Sequence, residues 1–369
     1  MSALATRHGA VNLGQGFPDF DCDPALIDAV TRAMRAGHNQ YPPMTGWAPL
    51  RQAIATKIEN LYGHRYDADS EITVTAGATQ AILTATLALV HPGDEVIVIE
   101  PAYDSYAPAI QLAGGKAVFV RMERTNDTDT GFIIPWDSVR AAVTPRTRML
   151  VINSPNNPTG MAMVENDLKE LEDLIVGNNL YLLSDEVYEH MLFDRRRHES
   201  ASRYPALAER SIVISSFGKT FHVTGWKVGH VAAPAALTAE FRKVHQFNVF
   251  TVNTPMQAAL ADYLTDPSPY LTLADFYQRK RDFFRKGMAH TRFDLLPCDG
   301  TYFQLAGFNA VREDLSDTAF CEWLTREKGV AAIPLSAFYD GPCDAKLIRF
   351  CFAKKETTLT NALDRLTTL

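Results

Sequence analysis

Between residues 70 and 235 the chain repeats one alternation: a short, almost continuous apolar run, a turn, then a stretch with helical periodicity. The runs are Ile72–Thr75, Glu95–Ile99, Met149–Asn153, Leu180–Leu183 and Ser211–Ile214. Helices are predicted from Ala78 to about Val90 and from roughly Val164 to Gly177. A strand that is apolar on both faces has to be covered on both faces, and helical crossovers let successive strands lie parallel. The pattern therefore predicts an α/β fold with a mostly parallel sheet sandwiched by helices. Ligands of such sheets bind beyond the carboxyl ends of the strands. The chemistry is to be sought in the residues just after each run.

After the first run, Gly77-Ala78-Thr79 opens a helix, whose free N–H groups and positive dipole end suit a phosphate. After the second, Tyr103 offers an aromatic face for a planar ring. After the third, the loop Asn153–Gly160 is stiffened by Pro155 and Pro158 and holds the Asn157 amide as a donor. After the fourth comes Asp185, costly at a buried strand end unless paired, with Tyr188 three residues on. A cationic ring nitrogen would be a suitable partner. After the fifth comes Lys219, with Lys227 among glycines further on.

Taken singly, each residue has a plainer reading. A lone lysine after a strand is more often a solvated surface charge. Gly218-Lys219-Thr220 also mimics the end of a phosphate-binding P-loop, but Val213 stands where that motif needs glycine. Together the strand ends carry complementary parts for one ligand. A desolvated lysine able to condense with an aldehyde, and a second to hold an anion, is the pattern of a pyridoxal phosphate enzyme.

Bulk properties narrow the partners. A net charge of -7 with one basic triplet, Arg195-Arg196-Arg197, argues against nucleic acid or an anionic membrane. The longest apolar stretch, Ala81 to Val90, is far short of a membrane span. The five cysteines are scattered without a CxxC pair, which fits reduced thiols and neither a zinc site nor a disulfide framework. The residues from Met1 to His8 lack a signal-peptide apolar core, so a cytoplasmic location is expected.

At Asp266-Pro267-Ser268-Pro269 the texture changes. A charged amphipathic helix is predicted through Arg279–Arg281, a helix around Asp317 to Lys328 and a strand near Leu347–Phe350. The expected division is an N-terminal segment (1–39) packing with a small domain, a large ligand-binding domain (40–265) and a small α+β domain (266–369).

Asn157-Pro158-Thr159-Gly160, Asp185-Glu186-Val187-Tyr188 and Ser216-Phe217-Gly218-Lys219 with Lys227 match, in order and spacing, the signatures of a known family. The chain resembles the class I/II aminotransferases of the pyridoxal-phosphate fold-type I superfamily. Asn12–Phe20, Asn39–Tyr41 and Leu335–Tyr339 carry a finer likeness to the kynurenine/glutamine-phenylpyruvate branch and to bacterial methionine aminotransferases.

The resemblance implies a seven-stranded sheet, pyridoxal 5'-phosphate as cofactor and a homodimer with shared active sites. It implies that Lys219 condenses with the cofactor and moves the proton, while Asp185 faces the ring nitrogen. Asn157 and Tyr188 would bond the ring oxygen and Tyr103 would stack on the ring. Ala78, Thr79, Ser216 and Lys227 would hold the phosphate, joined by Tyr41 of a second subunit. Arg349, Asn157 and the Gly16 backbone would take the substrate carboxylate, and Phe17 with Phe250 of the second subunit would line the side-chain pocket. No arginine is evident for a second carboxylate, and Thr251 stands where the kynurenine branch commonly has histidine. The expectation is amino transfer from a large apolar or aromatic amino acid, methionine first, to a 2-oxo acid. The alternative is a β-lyase acting on cysteine S-conjugates or cystathionine.

Overall fold

The structure is a computed structural model describing residues 1–125 and 131–369. Seven strands form the large sheet: β1 (Ile72–Thr75), β2 (Glu95–Glu100), β3 (Lys116–Arg121), β4 (Thr147–Asn153), β5 (Tyr181–Asp185), β6 (Ser211–Ser216) and β7 (Gly229–Ala232). Their order is β1-β7-β6-β5-β4-β2-β3. All neighbours are parallel except β7, which runs antiparallel to both β1 and β6.

Alternate residues of these strands feed two apolar layers. Ile97, Ile99, Leu150, Ile152, Leu182 and Val213 face one side, where Leu168, Leu171, Leu174 and Ile175 of the helix Glu165–Gly177 cover them. Val96, Val98, Met149, Val151, Leu183, Ile212 and Ile214 face the other, under the helices Ala78–Leu89 and Ala235–Asn248. Each fully buried Leu or Ile contributes roughly 1.5–3 kcal/mol relative to exposure. The hydrophobic effect thus fixes which way each strand faces. Hydrogen-bond register then fixes how far each one runs.

Two of the seven strands are not among the runs read from the sequence. β3 is an edge strand whose residues are mostly half-exposed, and β7 is four residues long with glycine and histidine. A Cβ on Gly229 would sit 2.7 Å from the Ser215 carbonyl and 3.2 Å from the Gly77 backbone. Only glycine lets β7 pass so close to both neighbours.

Beyond the large sheet, a four-stranded antiparallel sheet takes in Asp294–Leu295, Phe303–Gly307, Leu347–Cys351 and Ile333–Pro334. The helix predicted through Arg279–Arg281 is Leu273–Met288, which buries Tyr277, Phe284 and Met288. Near the N-terminus Val11 and Asn12 pair in parallel with Val330 and Ala331, and Cys351 N–H donates to the Leu13 carbonyl at 2.7 Å. These bonds aim the next residues, Gly14–Phe17, at the end of the large sheet. Among the described residues no helix is long and apolar enough to cross a membrane.

Candidate active site

Register brings the strand ends together. Asn153 of β4 pairs with Asp185 of β5, and Asp185 with Ile214 of β6, two residues before Ser216. A cavity of about 210 Å³ opens at this edge, lined by Ala78, Thr79, Tyr103, Asn157, Asp185, Tyr188, Ser216, Lys219 and Lys227 among others. Nine of the sequence-predicted residues therefore share one pocket.

Asp185 is buried where β5 ends, and burial raises its carboxyl to about 6 against the pull of its hydrogen bonds. Those bonds come from the Tyr106 hydroxyl to Oδ2 at 2.7 Å and the Val187 N–H to Oδ1 at 3.3 Å. Lys219 lies on a single helical turn, Phe217–Thr220, that leaves β6. Desolvation lowers its ammonium to about 8, opposed by the nearby Asp185. Its Nζ donates to the Tyr302 hydroxyl at 2.8 Å.

An anion cradle lies at another side of the pocket. The helix Ala78–Leu89 begins with no capping side chain, so its first N–H groups are available. Gly77 precedes it at φ 79°, and a Cβ there would come within 3.4 Å of Lys227 Nζ. Lys227 itself adopts φ 55°, an uncommon conformation for a side-chain-bearing residue that turns it back toward Gly77. Thr79 shares a 3.2 Å hydroxyl contact with Tyr103.

Arg349, on the strand Leu347–Cys351, reaches the same region. Its Nη1 donates to Asn157 Oδ1 at 2.5 Å and its Nη2 to the Gly14 carbonyl at 3.3 Å. The Asn157 NH2 therefore remains a donor. Arg349 is 6 % exposed, its guanidinium packs over Phe303 at 3.8 Å, and its Nε is buried without a partner among the described residues. An orphaned guanidinium donor in an apolar surround marks the place of an absent acceptor. Gly16 passes beside it, close enough that a Cβ would meet the Phe303 ring at 2.9 Å. Phe17 comes next, half exposed.

Tyr41 and Phe250 do not join this pocket within one chain. They touch each other edge-to-face at 5.4 Å on the surface, 81 % and 44 % exposed. The sequence reading missed Tyr106 and Tyr302. Tyr106 opens the helix Tyr106–Leu112 three residues after Tyr103, and the two rings meet edge-to-face at 5.7 Å. Nothing in the sequence connects Tyr302 to Lys219, 83 residues away.

A seven-stranded sheet of this order carries, at its carboxyl edge, a desolvated lysine, a buried carboxylate and a helix start beside a second lysine. A family model described as aminotransferase class I and II matches residues 9–366. The chain belongs to that family and is an aminotransferase. Within it, the chain is 50% identical to the methionine aminotransferase of Escherichia coli (strain K12), covering 99% of this chain and 94% of that protein. The crystal structure of YbdL from Escherichia coli, described as having a methionine aminotransferase function, matches with a TM-score of 0.96 at 50% identity, over 100% of this chain and 96% of that one. A probable N-succinyldiaminopimelate aminotransferase of Mycobacterium tuberculosis is 44% identical, covering 100% of this chain and 94% of that protein. The human kynurenine–oxoglutarate transaminase 1 is more distant, 35% identical over 96% of this chain and 91% of its own length.

Proposed function

We propose that the enzyme uses pyridoxal 5'-phosphate to move the amino group of methionine, or another large apolar or aromatic amino acid, to a 2-oxo acid. The residues present fit that cofactor. The pocket offers an amine near neutrality at Lys219, a buried acid at Asp185, an aromatic face at Tyr103 and an anion cradle formed by Ala78, Thr79, Ser216 and Lys227. When bound, the cofactor supplies an aldehyde that takes up the amino group and a ring that withdraws electrons from the substrate's Cα.

The protein does the rest. Asp185, ionised by a cationic neighbour, holds a proton on the ring nitrogen. Tyr188 and the Asn157 amide donate to the ring oxygen. Lys219 would take the proton from the substrate's Cα on Nζ and hold it for return. Arg349 and Asn157 orient the α-carboxylate, and Gly14–Phe17 cover the site against water. Phe17 gives the side-chain pocket an apolar wall, with Phe250 and Tyr41 supplied by a second copy of the chain in a homodimer.

The observation that carries this reading is the meeting of Lys219 and Asp185 in one pocket: burial shifts the lysine toward the neutral amine that condensation needs, and it leaves the aspartate in need of a cationic partner to stay ionised. The preference for methionine is supported by the 50% identity to the Escherichia coli enzyme. Mixing the purified holoenzyme with methionine alone should convert the visible band of the aldehyde cofactor to that of the amine form. A 2-oxo acid should restore it. No spectral change with methionine or with aromatic donors would refute the proposal.

A further inference from the structure

One oxygen joins three separate pieces of this chain. The Tyr302 hydroxyl accepts from Lys219 Nζ at 2.8 Å and donates to the Gly16 carbonyl at 2.7 Å. Lys219 belongs to the turn after β6, Tyr302 to the residues leading into the strand Phe303–Gly307, and Gly16 to the N-terminal segment over the site. Lys219 Nζ also stands 3.4 Å from the Gly16 carbonyl, which closes a triangle of polar atoms in otherwise aromatic surroundings.

Tyr302 does not move with the lysine. It is fully buried, and its ring meets Tyr188 at 5.3 Å, Tyr277 at 5.6 Å and Phe303 at 4.8 Å. Its backbone carbonyl accepts from Phe352 N–H at 3.0 Å. A ring so clamped presents its oxygen at a fixed point, and the flexible lysine comes to it. Burial also holds the phenol well above its usual ionisation range, so the single hydroxyl proton stays in place for Gly16.

We propose that Tyr302 is a positioning residue that parks the free amine of Lys219 and ties it to the N-terminal segment through Gly16. The inference rests on the reading that Lys219 condenses with the cofactor aldehyde. In that condensation the neutral amine gives up both hydrogens, which leave with the carbonyl oxygen as water. The donor to Tyr302 is then gone. The free-lysine state has one more hydrogen bond than the condensed state, and Tyr302 favours it.

The consequence is a difference between two ligands. Binding pyridoxal 5'-phosphate consumes the free amine, whereas binding pyridoxamine 5'-phosphate leaves it free. Tyr302→Phe keeps the ring and removes the hydroxyl. Loss of the Gly16 bond affects both ligands alike, but loss of the Lys219 bond penalises only the free-amine state. In apoenzyme titrations the ratio of the pyridoxamine phosphate to pyridoxal phosphate dissociation constants should rise roughly three- to tenfold. In a Lys219→Ala background the same Tyr302→Phe change should leave that ratio where it was. An unchanged ratio in the single variant, or equal weakening of both ligands, overturns the proposal, because a purely structural tyrosine would act on both. If borohydride reduction still fixed the cofactor covalently to the Lys219→Ala protein, the underlying reading of Lys219 would be overturned instead.

Discussion

The Tyr106 hydroxyl donates to Asp185 Oδ2 at 2.7 Å, joining the buried carboxylate at the end of β5 to the helix that comes after β2. One hydrogen bond from a neutral phenol does not offset the burial of a carboxylate, and the acid stays raised to about 6. Without a cationic partner the site is therefore built against its own stability at neutral pH.

That relationship has a measurable sign. Asp185 ionises near 3.8 in an unfolded chain and near 6 in the fold. A raised acid contributes stability that is fully present below the unfolded value and is lost as pH rises through the folded one. Asp185→Asn keeps an acceptor for Tyr106 and removes the charge. At pH 7.5 the cofactor-free variant should unfold at higher temperature than the cofactor-free wild type, by on the order of 1–3 kcal/mol. The gap should close near pH 4. Equal melting temperatures for the two apoproteins across this range would count against the assignment.

The fold was legible in the chain because parallel strands covered on both faces leave long apolar runs, as at Val96–Ile99 and Leu150–Ile152. β3 was passed over although Ala117–Val120 is an apolar run, and at the sheet edge most of its residues stay half-exposed; β7 was silent because a four-residue strand is too short for a period to show. One topological rule was enough to expect Asp185 and Lys219 in one pocket, since both sit at or just beyond runs whose ends a parallel sheet must align. Tyr302 lay outside that rule. It approaches Lys219 from the small antiparallel sheet, and the contact exists only through tertiary packing.

Arg349 should matter to every donor alike. Its Nε is the unpartnered donor and its plane is fixed by Phe303 and Phe338. Arg349→Ala removes binding common to all amino acids, and charged hydrogen bonds are worth about 1.5–3 kcal/mol each. The Michaelis constant should therefore rise roughly ten- to a hundredfold for methionine, phenylalanine and leucine together. Lysine should not rescue it, because a point charge cannot reproduce the planar fork or its stacking. A loss confined to some donors would show that Arg349 reads the side chain and not the carboxylate.

Surface aromatics near Tyr41 bear on assembly. Phe247 is 86 % exposed and lies three residues before Phe250, at the end of the helix Ala235–Asn248. Isolated exposed apolar residues are ordinary, and the proposed homodimer is what would cover these. Phe247→Asp should shift the enzyme from dimer to monomer in sedimentation and lower turnover with it, since the proposed pocket borrows Tyr41 and Phe250. A monomeric wild type, or a variant that stays dimeric, would remove the case for shared sites.

Lys219 offers the most direct test of the electrostatics. Desolvation is the larger influence and lowers its ammonium to about 8, while Asp185 pulls the other way. At pH 7.4 about a fifth of the side chain is then the neutral amine, against fewer than about one in a thousand for an ordinary lysine. The condensation rate of the apoenzyme with pyridoxal 5'-phosphate should rise with pH and level off above a midpoint near 8. Asp185→Asn removes the charge that favours the ammonium, so its midpoint should move lower still. A wild-type midpoint above 10 would mean that the amine is solvated and that burial does not activate it. A midpoint that rises in Asp185→Asn would reverse the sign of the coupling and break the pairing on which the proposed chemistry stands.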